Sequence, residues 1–212
     1  MVQKIPPAPD KPRRGRPRAY DPEVALNQAT ALFWDQGYAP TSLDDLSAAT
    51  GMNRPSLYGA FGDKKTLYLA TLAHYRELSH QAIDQVLAYD ETLRQTLARF
   101  FRAALGFYLS GAAGQRGCFL IGTATASAVL DPDIRTLLRE ALRAFEGKLE
   151  ARLRLAVEQG DLPAAADPAQ IARIVSAVQH SMAIRARAGE TRADLEAMAA
   201  TAITLICGPE GS

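Results

Sequence analysis

Ile134, Leu138, Leu142, Phe145, Leu149, Leu153 and Ala156 recur at spacings of 4, 4, 3, 4, 4 and 3. This period places seven apolar side chains on one face of a single long helix. Asp131-Pro132, just before it, supplies an N-cap and a first-turn proline whose missing N–H costs nothing there. A helix of that length with one apolar face has to be covered by other elements. The same cap-plus-proline device recurs at Asp21-Pro22 and Asp167-Pro168, and the apolar residues are mostly Ala and Leu rather than β-branched runs. The covering elements are therefore helices, and the expected fold is all-α with about nine helices and no strand.

Punctuation along the chain sets the order. A first helix runs from Pro22 to a stop at Gly37, with Val24, Ala25, Ala29, Leu32 and Phe33 on its stripe. Thr41-Ser42-Leu43-Asp44 resembles a capping box and opens a second helix to about Ala49. Gly51 provides a turn residue that tolerates positive φ, and Asn53 caps a third helix carrying Pro55, Leu57, Tyr58 and Phe61. Two short helices around one glycine form a helix-turn-helix over residues 42–61. Longer helices are expected from Asp63 to about Leu87 and from about Glu91 to Leu109, then a short one from Phe119 to Ala128. The long helix ends at Gly160, and two more run from Pro168 and from Ala193 to Cys207.

Charge is uneven although the chain totals only +1: residues 1–18 hold six basic side chains against Asp10, a net +5, leaving −4 on the other 194. With five prolines and no helical period, residues 1–18 read as a flexible basic arm suited to phosphate. Cys118 and Cys207 lie far apart with no metal-ligand spacing, which fits a reducing cytoplasm. The basic start runs into prolines rather than an apolar segment, and the longest weakly polar stretch, Cys118 to Leu130, is too short to span a bilayer, so we expect a soluble cytoplasmic protein with no membrane partner. His74 and His80 are six apart and fall on roughly opposite sides of a helix, so they do not share a metal in the i, i+4 manner. There is no nucleophile elbow, P-loop or dinucleotide fingerprint, and the chain is not expected to be an enzyme or to need a cofactor or metal.

The series Ala29, Leu32-Phe33, Gly37-Tyr38, Thr41-Ser42-Leu43, Leu46 and Gly51, continuing as Leu57-Tyr58, Phe61, Lys64 and Leu67, resembles the DNA-binding domain of the tetracycline-repressor (TetR) family over about 40 residues at fixed spacing. The resemblance covers about residues 19–79 and implies a three-helix DNA-binding domain there, with residues 80–212 a larger helical domain for ligand sensing and dimerisation. It implies phosphate contacts from Thr41 or Ser42, Tyr58 and Lys64, and groove contacts from Asn53, Arg54 and Ser56. The chemistry agrees: small and polar groups at a helix start reach base edges when that end enters a major groove, and the helix N-termini at Ser42, Asn53 and Asp63 offer free N–H groups to phosphate. One departure is Gly59-Ala60, where many members carry a bulky residue, so phosphate binding leans on Tyr58, Lys64 and Lys65. Within the arm, Arg14-Gly15-Arg16-Pro17-Arg18 holds the Gly-Arg-Pro core of minor-groove-reading peptides, which assigns Arg14, Arg16 and Arg18 to DNA.

By the same resemblance the partners are a palindromic double-stranded operator, a second copy of the chain and a small-molecule effector. The stripes Ile171, Ile174, Val175, Val178, Met182 and Leu195, Met198, Ala202, Ile206 on the last two helices are the candidate four-helix interface of a homodimer. The effector pocket is expected among the middle helices. Phe100, Phe101, Phe107, Tyr108 and Phe119, together with Thr123, Met182 and Cys118, describe a mostly apolar site. The function so implied is a sequence-specific transcriptional repressor released by a small, largely apolar ligand. Two alternatives stay open: a thiol-based sensor in which Arg116 lowers the pKa of Cys118, and an architectural protein that coats DNA without sequence preference.

Overall fold

The computed structural model describes residues 20–88, 91–110 and 115–209. Among these it forms α1 (Pro22–Gln36), α2 (Leu43–Thr50), α3 (Arg54–Phe61), α4 (Lys64–Leu87) and α5 (Leu93–Tyr108). A π-helical turn (Leu120–Ala124) leads into a single turn α6 (Thr125–Ser127), then α7 (Pro132–Glu158), α8 (Pro168–Arg187) and α9 (Arg192–Cys207). No strand occurs among the described residues. The chain is all-α, as its periodicity requires.

The caps are where the sequence puts them. Asp21, Asp131 and Asp167 each accept the first free backbone N–H groups of the proline-led helix behind them. Ser42 and Asp45 make a reciprocal capping box on α2, Asn53 accepts from Ser56 N on α3, and Asp63 accepts from Thr66 N on α4. Each cap satisfies donors that a helix start leaves without an internal partner.

Between α5 and α7 the expected short α-helix is instead mostly a π-turn. The Thr123 hydroxyl donates to Phe119 O and the Thr125 hydroxyl to Ile121 O, at 2.8 Å each. Side-chain hydroxyls that bond back to carbonyls four residues earlier compete with the α-helical ladder and favour such distortions.

Two apolar cores result. The first gathers Phe33, Leu46, Leu57, Tyr68 and Leu72 of α1–α4 with Phe119 of the turn region and Ile134 of α7. The second joins α5, the later part of α7, α8 and α9 through Leu97, Phe101, Leu149, Val175, Met182 and Leu195. Burying each of these large side chains contributes roughly 1.5–3 kcal/mol. The first core is thus not confined to the N-terminal helices; the turn before α7 completes it.

Candidate nucleic-acid interface and effector cavity

In the helix-turn-helix, Leu46 and Leu57 turn inward, which leaves the opposite edge of α3 to solvent. Asn53 and Arg54 are exposed and Tyr58 is 49% exposed. Gly51, at φ 65°, takes the left-handed conformation that joins α2 to α3. Asp44 on α2 holds Arg54 from below, its two carboxylate oxygens accepting from Nε at 2.8 Å and Nη2 at 2.5 Å. That grip leaves the other fork of the guanidinium, Nη1 with the second Nη2 proton, pointing away from the protein's own carboxylate. Lys64 is half-buried, its ammonium 4.7 Å over the Tyr38 ring and donating to Ala39 O at 3.2 Å. Partial burial pulls its pKa below the ordinary lysine value.

Behind this head lies a cavity of about 440 Å³. Its walls come from α1 (Asn27, Thr30, Trp34), α4 (Tyr75, His80, Ile83), α5 (Phe100, Phe107, Tyr108), α7 (Phe145) and α8 (Gln179, His180). Most of this lining is aromatic or aliphatic, the mark of a small-molecule site. Trp34 forms one wall while belonging to the head. It packs against Tyr75, Phe107 and Phe119 with ring centroids 5.1, 5.3 and 5.6 Å away. Its indole N–H donates to Arg116 O at 2.9 Å, and the Arg116 guanidinium lies 4.6 Å over its ring. Arg187, at the end of α8, donates from Nη1 and Nη2 to Trp34 O at 3.1 and 3.2 Å. Arg187 thereby supplies a cation to the carbonyl end of α1, whose last turn has no basic residue of its own.

Cys118 sits in the wall with Tyr75 donating to its sulfur at 3.4 Å. Burial pushes the Cys118 thiol above its ordinary pKa. The expected activation by Arg116 is not found, because that guanidinium is turned onto Trp34 and Asp35, and burial outweighs the nearby hydrogen bonds. His180 is also held neutral by burial, with a pKa pushed down to about 4. Among the described residues no three His, Cys, Asp or Glu side chains gather to hold a metal. No helix among them is long and apolar enough to cross a membrane.

Residues 25–71 match the family described as "Bacterial regulatory proteins, tetR family", and residues 93–203 match "Tetracyclin repressor-like, C-terminal domain". The chain belongs to the TetR family. Its relatives include the HTH-type transcriptional repressor ComR of Escherichia coli, 32% identical over 198 residues, or 92% of this chain and 93% of that one. The HTH-type transcriptional repressor BdcR of the same organism is 32% identical over 107 residues, 50% of this chain and 54% of that one. Among solved structures, a cysteine mutant of the TetR regulator CifR, complexed with 26bp double-strand operator DNA, aligns with TM-score 0.79 and 29% identity over 91% of this chain and 100% of that one. These TetR relatives are transcriptional regulators.

Within the TetR fold, Ser42, Asn53, Arg54 and Tyr58 are exposed, and Ser56 and Lys64 are half-buried. Thr41 is 1% exposed and its hydroxyl donates to Gly37 O at 2.6 Å, so Ser42 is the member of that pair open to solvent. Lys65, expected to help at phosphate, is instead paired with Asp131 and Asp133 at 2.8 and 2.6 Å, tying α4 to the start of α7. Arg14, Arg16 and Arg18 lie outside the described residues. Of the expected pocket residues, Phe100, Phe107, Tyr108 and Cys118 line the cavity. Phe101, Phe119, Thr123 and Met182 do not: Phe101, Phe119 and Met182 are buried in the two cores, and Thr123 is bonded to the Tyr68 hydroxyl at 2.7 Å. Sequence reasoning missed Trp34, Tyr75, Gln179 and His180. The available signal was Gln179-His180, a polar pair interrupting the apolar run of α8.

The stripes expected at a dimer interface also divide. Val175, Met182, Leu195 and Ala202 are buried in the chain's own second core. A second face of the same helices carries the outward apolar residues Ile174 (57% exposed), Ile184 (58%) and Leu205 (81%).

Proposed function

We propose that this TetR protein is a cytoplasmic, homodimeric transcriptional repressor that grips a palindromic operator through α2 and α3 and releases it when a small, largely apolar effector fills the cavity. The reading rests above all on Trp34, which is at once part of the head and a wall of the cavity. A ligand that displaces this ring strains its contacts to Arg116 and the Trp34 carbonyl held by Arg187, and so the seat of α1 on the body. Two copies joined through the outward faces of α8 and α9 carry two heads, and the spacing of those heads has to match two half-sites about 34–36 Å apart. Small changes at Trp34 then alter the fit to both half-sites together.

On DNA, Asn53, Arg54 and Ser56 enter the major groove, with Ser42, Tyr58 and Lys64 on flanking phosphates. Arg54, oriented by Asp44, offers its free fork to the O6 and N7 acceptors of a guanine. The basic arm follows the minor groove beside it. The names of ComR and BdcR as repressors, and CifR held on operator DNA, support this reading.

Electrophoretic mobility shift on the DNA flanking the protein's own gene tests it. Wild type should select one palindromic site over competitor DNA, and Arg54→Ala should cut that preference about tenfold or more, the cost of one bidentate base contact. Binding without site preference would favour an architectural protein. A preference unchanged in Arg54→Ala refutes the assignment of Arg54.

A further inference from the structure

Tyr108, Phe145, Gln179 and His180 line one part of the cavity. The Gln179 side-chain amide donates from Nε2 to the Tyr108 hydroxyl oxygen at 2.5 Å. Its Oε1 is buried and has no hydrogen-bond partner among the described residues. An unpaired buried carbonyl oxygen is costly, typically by about 1–3 kcal/mol, and proteins seldom keep one without a use for it. Tyr108, having accepted from Gln179, retains its own proton to give. Burial keeps that phenol protonated, well above its ordinary pKa, and keeps the neighbouring His180 neutral. Tyr108 and His180 therefore carry no charge, and Tyr108 and Gln179 offer one donor and one acceptor in a mostly apolar wall.

We infer that the cavity takes an uncharged, mainly apolar molecule bearing a hydroxyl group, an alcohol or a phenol, whose hydroxyl accepts from Tyr108 and donates to Gln179 Oε1. The inference rests on the effector reading above and gives that effector its chemical class. A hydroxyl is the small group that is donor and acceptor in one atom. It also satisfies the pair if the amide is turned end for end: Tyr108 then donates to Gln179 Oε1, the Gln179 NH₂ donates to the ligand oxygen, and the ligand proton goes to the Tyr108 oxygen. An ether or ketone accepts only and leaves one member of the pair buried and unmatched. A carboxylate brings a charge to a place where even a histidine is kept neutral. Hydrophobic contact with Phe100, Phe107 and Trp34 supplies affinity, and the Tyr108–Gln179 pair supplies selection.

Calorimetric titration of the full-length protein with 2-naphthol, 2-methoxynaphthalene and 2-naphthoate tests the inference, because the three share one apolar body. We expect 2-naphthol to bind about tenfold more tightly than the methyl ether, and more tightly than the carboxylate. In Gln179→Leu, and independently in Tyr108→Phe, the preference for 2-naphthol over the ether should fall close to one while the ether still binds; thermal melting verifies that each variant is folded. Equal binding of 2-naphthol and its ether by wild type, tighter binding of 2-naphthoate, or no binding of any of the three overturns the inference. Release of DNA is scored separately, by adding 2-naphthol to the complex with the flanking DNA. Selective binding without release sustains the hydroxyl site and refutes the effector role; non-selective binding with release does the reverse.

Discussion

His180 shows how one residue in the cavity wall leaves a mark on the whole molecule. Its ring lies 6.0 Å from that of Phe145, and burial pushes its pKa down to about 4. In the unfolded chain a histidine titrates near 6.5. Between those values the unfolded chain binds a proton that the folded chain refuses, so stability is highest above about pH 6.5 and falls as the pH drops toward 4. The loss reaches at most roughly 3 kcal/mol, since each tenfold change in proton affinity is worth about 1.4 kcal/mol. Urea unfolding across this window should show a steeper loss for wild type than for His180→Gln; parallel curves would refute the assignment. Other residue positions were open to sequence reasoning to different degrees. Asn53 was legible as a cap because capping follows from local helix geometry, whereas Tyr58 was assigned to phosphate only through the family resemblance. Cys118 was not, since whether Arg116 faces the sulfur or Trp34 depends on packing of residues 82 positions apart.

At the scale of elements, the loop after α5 is fixed by its closeness to α8. Gly117 has φ 65°, and a methyl group there would stand 2.7 Å from Ala183 O. Gly51 has the same φ, and a methyl group there would meet nothing within 4 Å. Gly51→Ala should therefore cost only the left-handed strain, about 1–2 kcal/mol. Gly117→Ala carries that strain and must also push the loop off α8, so it should lower the unfolding midpoint clearly more than Gly51→Ala. Denaturant titration of both variants checks the order; equal losses would mean that the loop moves freely from α8. The apolar pattern after this loop predicts a plain α-helix, and the segment is largely a π-turn. That pattern is readable locally, but Thr123 has its hydroxyl engaged with both Phe119 O and Tyr68, and only the second of these requires the fold.

For the whole molecule the decisive contact is Arg187 on Trp34, which joins the last turn of α8 to the last turn of α1 across 153 residues of chain. Hydrogen bonds from a charged donor contribute about 1.5–3 kcal/mol each, less where water competes. Removing them in Arg187→Ala should loosen the head without unfolding the body. Hydrogen exchange should accelerate about tenfold or more in the C-terminal half of α1 and stay unchanged in α9. Equal acceleration in both would mean that Arg187 supports the body as a whole and does not act as a latch on the head.

Sequence by itself determined the helices and their caps, apart from the π-turn before α7, because a cap, a turn glycine and an amphipathic period act over at most a few turns of chain. It also carried the family resemblance, which lies in residues fixed close together between Ala29 and Leu67. Tertiary structure alone decided which face of α8 and α9 is core and which is free, since both faces of these helices carry apolar residues. It alone brought Trp34, Tyr108, Gln179 and His180 around one cavity. The reason is physical: a cavity is defined by side chains of distant segments meeting in space, and the period of no single helix records which neighbours it will meet.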